Sequence, residues 1–264
     1  MPAHDGAQRG SLTIVGTGIT LGAHATAETI QVLKDSDCVL YLVTEPATEE
    51  WLARLNPRSE SLEGLYAEGK NRLATYIEMA ELMLGRVRSG QSVCAAFYGH
   101  PGVFVNAAHR AIQQARHEGY AARMLPGISA EACLYADLGV NPGDRGCQSF
   151  EATDFLAFQR RFDPTSVLIL YQAGVLGEAS VRRGMKARPV RLAVLTRFLR
   201  RAYPPNHPVI LYEASPFPTC DPAIAQIRLK DLPRASVPAM TTLYVPPLPQ
   251  RKPRASIMNW YLEG

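Results

Sequence analysis

Three times within its first half, the chain runs an apolar strand pattern into a glycine turn and out into a helix pattern. Ser11–Val15 leads into Gly16-Thr17-Gly18-Ile19-Thr20-Leu21-Gly22. Ser92–Phe97 leads into Tyr98-Gly99-His100-Pro101-Gly102, and Ala121–Met124 into Leu125-Pro126-Gly127-Ile128-Ser129. Strands alternating with helices bury their apolar faces as a parallel sheet covered by helices, so this order points to an α/β chain. Val39–Val43 reads as another buried strand. Helix spacing marks Ala25–Lys34, Glu49–Leu55, Lys70–Ser89 with Gly90 as its stop, and Phe104–Glu118.

Past Pro126-Gly127 the texture changes. Ser129–Leu138 is a helix with Ser129 as its N-cap. Shorter strands follow at Gln148–Glu151, Val167–Tyr171, Val209–Tyr212, Ile224–Arg228 and Thr241–Val245, with one clear helix, Arg191–Ala202, among them. Such hairpin-like succession implies a mixed sheet. The expected organisation is a disordered lead-in (1–10), an N-terminal α/β lobe (11–125), a C-terminal α/β lobe (126–247) and a tail (248–264). The tail is basic, then apolar from Ile257 to Leu262, and is expected to be pinned to a partner subunit or to its own domain.

Composition excludes several classes. No apolar run approaches the ~18 residues of a membrane span, and the first ten residues carry no secretory h-region. The five scattered cysteines never form Cys-x-x-Cys, which fits reduced thiols and a cytoplasmic location. The histidines form no ligand cluster, so no metal is expected. The net charge of +4 is modest. Its basic groups, Arg182-Arg183, Lys186–Arg188, Arg197–Arg201 and Arg251–Arg254, read as solvated faces or as a docking surface for an acidic partner. Without interleaved aromatic residues they do not form a nucleic-acid platform.

Chemistry concentrates in the turns. The first glycine loop follows a strand as a dinucleotide loop would, but its third glycine is one position late for Gly-x-Gly-x-x-Gly. It is either a tight turn or a place where backbone approaches a ligand. Gly64–Asn71 nearly forms a P-loop, but Asn71 replaces the magnesium-holding hydroxyl and Asn56–Glu63 is too polar for a buried strand. Phe97–Phe104 packs aromatic side chains and a histidine around an irregular turn at a strand's carboxyl end, where open α/β sheets bind ligands. Leu125–Glu131 opens a helix whose free N–H groups suit an anion.

Taken together, these segments resemble the tetrapyrrole-methylase superfamily. Gly99-His100-Pro101-Gly102-Val103-Phe104 matches its Gly-x-Pro-x-x-Phe turn, with His100 in place of the usual acidic residue, and Pro126–Ser129 matches its Pro-Gly-Ile-Ser turn. With Lys70-Asn71-Arg72 and Thr75-Tyr76, the pattern is similar to the borosin peptide α-N-methyltransferases over roughly residues 10–247. The resemblance implies a two-lobed fold with S-adenosyl-L-methionine in the cleft and S-adenosyl-L-homocysteine as product. It implies that Tyr98, His100, Val103, Phe104, Ala130, Gln172, Ala214, Thr241 and Thr242 surround the cofactor. It places Tyr66, Arg72, Tyr76 and Tyr98 at the methyl-acceptor site. Glu63 stands where some fused members carry a further tyrosine.

These residues suit amide methylation. An amide nitrogen is a poor nucleophile because its lone pair is delocalised into the carbonyl. Arg72 and Tyr76, four residues apart on a helix, share one face. A guanidinium beside a phenol favours the phenolate. Tyr76 is therefore expected to take the amide proton, Arg72 to stabilise the resulting charge, and Tyr66 and Tyr98 to orient peptide and sulfonium. An exposed Arg–Tyr pair is the plain alternative. The apolar residues Leu73, Ile77, Met79, Leu82, Met83 and Val87 on that helix exceed one narrow stripe, which suggests burial on two sides, as at a dimer interface.

In fused borosins the substrate is the enzyme's own C-terminal extension. Here the chain ends soon after the last strand, so the expected substrate is a separate precursor peptide, leader plus core, methylated in trans by an interlocked homodimer that binds neither nucleic acid nor membrane. Rival readings are self-methylation of Ile257–Leu262, a tetrapyrrole-type small-molecule methyltransferase, a non-enzymatic peptide-binding module, and a nicotinamide enzyme with Glu45 near the ribose position.

Overall fold

The computed structural model describes residues 10–180, 184–250 and 257–258. The lead-in before Gly10, the Arg182-Arg183 pair, the Arg251–Arg254 group and all of the apolar tail beyond Met258 lie outside the described residues.

The first of two compact units runs to Val140. It holds strands β1 (Ser11–Gly16), β2 (Cys38–Leu42), β3 (Ser59–Ser61), β4 (Ser92–Phe97) and β5 (Ala121–Met124). They form one sheet in the order β3-β2-β4-β1-β5, every pairing parallel. Such a sheet must be covered on both faces, which explains the nearly continuous apolar strands. On one face α1 (Ala27–Asp35) and α2 (Pro46–Leu55) bring Leu33 and Leu52 against Val15, Val39, Cys94 and Ala96. On the other, α3 (Arg72–Arg88) and α4 (Asn106–His117) bring Met79, Met83, Val87, Ala108 and Ala111 against Leu12, Ile14, Leu40 and Phe97. Each fully buried Leu or Met contributes about 1.5–3 kcal/mol.

This arrangement creates a switch point. β1 and β4 are neighbours, yet β1 is followed by a helix on one face and β4 by a helix on the other. Open α/β sheets leave a ligand crevice at such a place, outside the strands' carboxyl ends. The first and second glycine turns of the sequence occupy those two ends.

The termini of α3 are well specified. Asn71 Oδ1 accepts from the Leu73 N–H (2.8 Å), and Gly90 leaves the helix at φ 91°, a conformation that favours glycine. Met79, Met83 and Val87 are buried, but Leu73 and Ile77 are exposed. Among the described residues only one side of the helix is therefore covered, not two. The polar segment before it contains the short strand β3, a sheet edge paired only with β2. α5 (Ala130–Leu138) also belongs to the first unit, so the units part later than the change of texture at residue 125.

The second unit contains α6 (Pro142–Arg145), β6 (Cys147–Glu151), α7 (Ala152–Ala157), β7 (Val167–Tyr171), α8 (Pro189–Leu199), β8 (Pro208–Glu213), β9 (Ala223–Arg228) and β10 (Thr242–Val245). Its sheet has the order β6-β7-β10-β8-β9. β6 runs parallel to β7, and β10 antiparallel to both β7 and β8. The expected mixed sheet is present. The expectation of one helix among its strands needs correction, because the short α7 lies between β6 and β7 as well. Glu151 caps α7 by accepting from the Asp154 N–H (2.7 Å). α7 buries Phe155, whose ring lies 5.1 to 5.5 Å from those of Phe198, Phe150 and Phe162. The chain returns to the first unit at Glu178 and again at Glu213. Among the described residues, no helix is long and apolar enough to cross a membrane.

Candidate functional site

The three glycine turns meet backbone to backbone. A Cβ on Gly16 would lie 2.2 Å from the Gly99 carbonyl oxygen and 3.0 Å from Gly127 Cα, and one on Gly127 would lie 2.5 Å from the same oxygen. Only residues without side chains allow this approach. Hydrogen bonds then knit the turns. Gly99 N–H donates to the Gly18 carbonyl (2.9 Å), Thr17 N–H to the Phe97 carbonyl (2.9 Å), and Gly18 N–H to the Gly99 carbonyl (3.3 Å). The motifs that the sequence separates by more than a hundred residues thus form one layer at the sheet's carboxyl edge.

Tyr98 enters that layer from β4, its N–H donating to the Leu42 carbonyl (3.1 Å). Burial pushes its phenol up to about 12, and Cys133, Glu45 and Glu213 add in the same direction. Tyr98 is therefore a neutral hydroxyl, able to donate a hydrogen bond but unsuited to serve as a base near neutral pH. His100 folds over its own turn. Gly102 N–H donates to His100 Nδ1 (2.9 Å), so in the neutral ring the proton sits on Nε2. Val103 N–H donates to the His100 carbonyl (3.0 Å). Val103 and Phe104 present exposed apolar surface. Phe104 has φ 60°, a strained value for a side chain of its size, and such strain gathers at ligand sites. Ala130 is the first residue of α5, whose N-cap Ser129 accepts from the Ala132 N–H (3.1 Å).

Tyr66, Arg72 and Tyr76 are also brought together. Arg72 Nε–H donates to the Tyr76 hydroxyl oxygen (3.2 Å), and the guanidinium carbon sits 6.0 Å from that ring's centroid. Burial, with Tyr76 reinforcing it, holds Tyr66 well above the usual phenol range. Tyr66 therefore keeps its proton near neutral pH. Tyr66 and Tyr76 pack on the same core cluster as Phe97, the residue before Tyr98. The start of α3 is anchored where the chain returns to this unit, Arg72 N–H donating to the Ala179 carbonyl (3.0 Å). Glu63 is exposed on the 3-10 turn before Tyr66.

Gln172, Thr241 and Thr242 lie in the second unit. Gln172 ends β7 in the left-handed region at φ 55°, leading into a 3-10 turn over Ala173–Val175. There Gly174 packs on Pro238, whose carbonyl oxygen a Cβ would meet at 1.7 Å. Thr241 and Thr242 are buried, and Thr242 pairs with Tyr212 across β10 and β8. Ala214 is in the segment that returns to the first unit.

Sequence reasoning missed His24 in the first loop. It accepts from the Thr20 N–H through Nδ1 (3.1 Å) and occupies the space beside Gly18. It also missed the influence of Glu45 and Glu213 on the Tyr98 phenol. Glu45 follows β2, the neighbour of β4, and Glu213 arrives only where the chain returns to the first unit.

Comparisons with known proteins identify the family. Residues 11–217 match the family described as Tetrapyrrole (Corrin/Porphyrin) Methylases. The chain is 43% identical to a methyltransferase/ribosomally synthesized type I borosin cyclic peptide precursor from Coprinopsis marcescibilis, covering 94% of this chain and 64% of that protein. It is 41% identical to a methyltransferase/ribosomally synthesized cyclic peptide omphalotin A precursor from Omphalotus olearius, covering 95% and 61%. It therefore spans roughly three-fifths of the length of these relatives. A uroporphyrin-III-C-methyltransferase from Thermus thermophilus shares the fold, with TM-score 0.62 and 21% identity over 90% of this chain and 92% of that one. From the knitted glycine turns and the match over most of its length, the chain belongs to the tetrapyrrole (corrin/porphyrin) methylase family.

Proposed function

We propose that this chain is an S-adenosyl-L-methionine-dependent methyltransferase that N-methylates backbone amides of a ribosomally made precursor peptide. The observation that carries the reading is the contact of the Arg72 guanidinium with the Tyr76 hydroxyl. A ring-methylating enzyme has no need of it, whereas an amide must lose its proton before or during methyl transfer. The names of the borosin relatives support the substrate class.

The residues present suit the donor. Bare glycine backbone meets at the switch point, Val103 and Phe104 offer apolar surface, and His100 offers an Nε2–H. Tyr98, His100, Val103, Phe104, Ala130 and Ala214 would hold it in the first unit. Bound S-adenosyl-L-methionine supplies an electrophilic methyl group. The chain's own residues do the rest. The Tyr76 oxygen receives the amide proton, and the Arg72 guanidinium stabilises negative charge on that oxygen. Tyr66, which keeps its proton, would orient the peptide beside them. The neutral Tyr98 hydroxyl orients the reactants.

Tyr76→Phe tests this directly. Turnover on a precursor peptide should fall by about 10²–10⁴-fold while donor binding stays intact; turnover at the wild-type rate would refute the assignment of the base. The reading takes the precursor as a separate chain, bound by a homodimer that covers the exposed Leu73 and Ile77 of α3. Intact mass of the purified protein checks the first point, since added methyl groups would mean modification in cis. Sedimentation checks the second.

A further inference from the structure

The segment that nearly forms a P-loop, Gly64–Asn71, ends in a lysine that the acceptor chemistry above does not use. Lys70 Nζ donates to the Leu65 carbonyl (2.8 Å) and to Glu78 Oε2 (2.5 Å). The lysine side chain is 25% exposed and that of Glu78 49%. The ammonium is thus committed to the chain itself and is not held out for an anion, which is where the P-loop likeness ends. The backbone is shaped for this. Lys70 N–H donates to the Ala67 carbonyl (3.1 Å) across a turn with Gly69 at φ 76°, a value that favours glycine. The turn lets the lysine side chain run back to Leu65.

The Leu65 carbonyl belongs to the peptide plane whose nitrogen is that of Tyr66. The N–H of the same plane donates to the Glu63 carbonyl (2.9 Å). Both ends of this rigid plane are therefore tied, and the Tyr66 Cα hangs from it. The second contact of the ammonium reaches another element. Glu78 lies on α3, two residues after Tyr76 and six after Arg72. One ammonium thus ties the turn that carries Tyr66 to the helix that carries the acceptor pair. An ion pair with an exposed partner adds little to stability, so holding the fold together is not what this geometry chiefly does.

We propose that Lys70 is a positioning residue of the acceptor site: its ammonium, held by Glu78, fixes the Leu65–Tyr66 peptide plane and so sets where the Tyr66 phenol stands relative to Tyr76 and Arg72. The inference rests on the acceptor site proposed above. Tyr66 and Tyr76 pack on one core cluster, so a rotation of that plane moves one phenol relative to the other. Without the ammonium the Leu65 carbonyl turns to water, and the Tyr66 side chain spreads over several positions. A peptide oriented by Tyr66 is then held less often with its amide in line with the methyl group. Loss of alignment of this kind lowers turnover more than it lowers binding. Lys70 acts only through Tyr66 and does not touch the reacting atoms.

Fluorine NMR of the full chain carrying 3-fluorotyrosine reads the setting of Tyr66 without any ligand, with signals assigned by single Tyr→Phe variants. Lys70→Gln should shift or broaden the Tyr66 signal and leave those of Tyr203 and Tyr212, buried in the second unit, in place. Lys70→Arg, which still has donors for both oxygens, should restore the wild-type signal. Methyl transfer is followed by mass on a peptide copied from the part of the Omphalotus olearius relative that this chain does not match. In Lys70→Gln, kcat should fall by about 10- to 100-fold while KM for the peptide and donor affinity stay within about twofold and Tm barely moves. Lys70→Arg should recover most of the rate. Adding Glu78→Gln to Lys70→Gln should slow the enzyme no further, because the two residues act through one contact. An unmoved Tyr66 signal, an unchanged kcat, or a fall in Tm that accounts for the lost activity would overturn the inference and leave the acceptor site standing. A wild-type chain that leaves the peptide unmethylated would refute the acceptor site itself and the inference with it.

Discussion

Gly16→Ala probes the meeting of the turns with a single methyl group. Gly16 does not have a left-handed φ, so alanine suits its backbone and the penalty is purely one of space. The new Cβ would lie 2.2 Å from the Gly99 carbonyl oxygen and 2.8 Å from Pro101 Cδ. The first distance is more than 1 Å short of ordinary contact, and the obstacle is backbone that cannot rotate away. Either β1 or the Gly99 turn must move. Overpacking of this kind destabilises by about 1–3 kcal/mol, or a fall in Tm of about 2–12 °C for a chain of this size. The displaced turn carries Tyr98 and His100, and shifts of about 1 Å at a reacting site lower turnover roughly a hundredfold. Gly85→Ala is the internal control. Gly85 is an exposed glycine inside α3 with open space around its Cα, so alanine should stabilise by about 0.5–1 kcal/mol and leave donor binding alone. Differential scanning fluorimetry gives the Tm values, and calorimetry the donor affinity. If Gly16→Ala kept wild-type Tm and affinity, the backbone contact among the turns would not be what holds the site together.

Further outcomes follow from named contacts. Arg72→Lys should retain the fold but lower turnover by about a hundredfold, because an ammonium lacks the fixed Nε–H that reaches Tyr76; single-turnover kinetics with donor saturating reads it. Tyr98 has its folded pKa raised from 10 to about 12, so its neutral form is favoured by folding. That contribution is fully present below pH 10 and is lost as pH rises from 10 through 12. Tyr98→Phe should flatten that part of the alkaline stability profile, measured by denaturant midpoints across the range. Phe155→Ala should cost about 3–5 kcal/mol, since the ring is fully buried against Phe150, Phe162 and Phe198. Urea unfolding followed by fluorescence checks it.

What could be read from the chain beforehand was whatever depends on local order. The strand-to-glycine-to-helix runs around Gly16, Gly99 and Gly127 foretold a parallel sheet, and the four-residue spacing of Arg72 and Tyr76 foretold their contact, because helix geometry alone brings such residues together. β3 was hidden because an edge strand with one partner needs no apolar run. α7 was hidden because its six residues are too few to show a period. The functional consequences are larger for the third kind of miss. Ala179, which accepts from the Arg72 N–H, and Ser215, whose carbonyl accepts from the Thr20 hydroxyl, come from segments that return to the first unit after the second has begun. No window of sequence holds both ends of such a contact. The acceptor pair is therefore local but its anchor is not. The donor turns are local while the segment tied to the first of them arrives from elsewhere. A substitution at Ala179 would leave every recognisable motif of the family intact and still alter the place where the proposed acceptor chemistry is positioned.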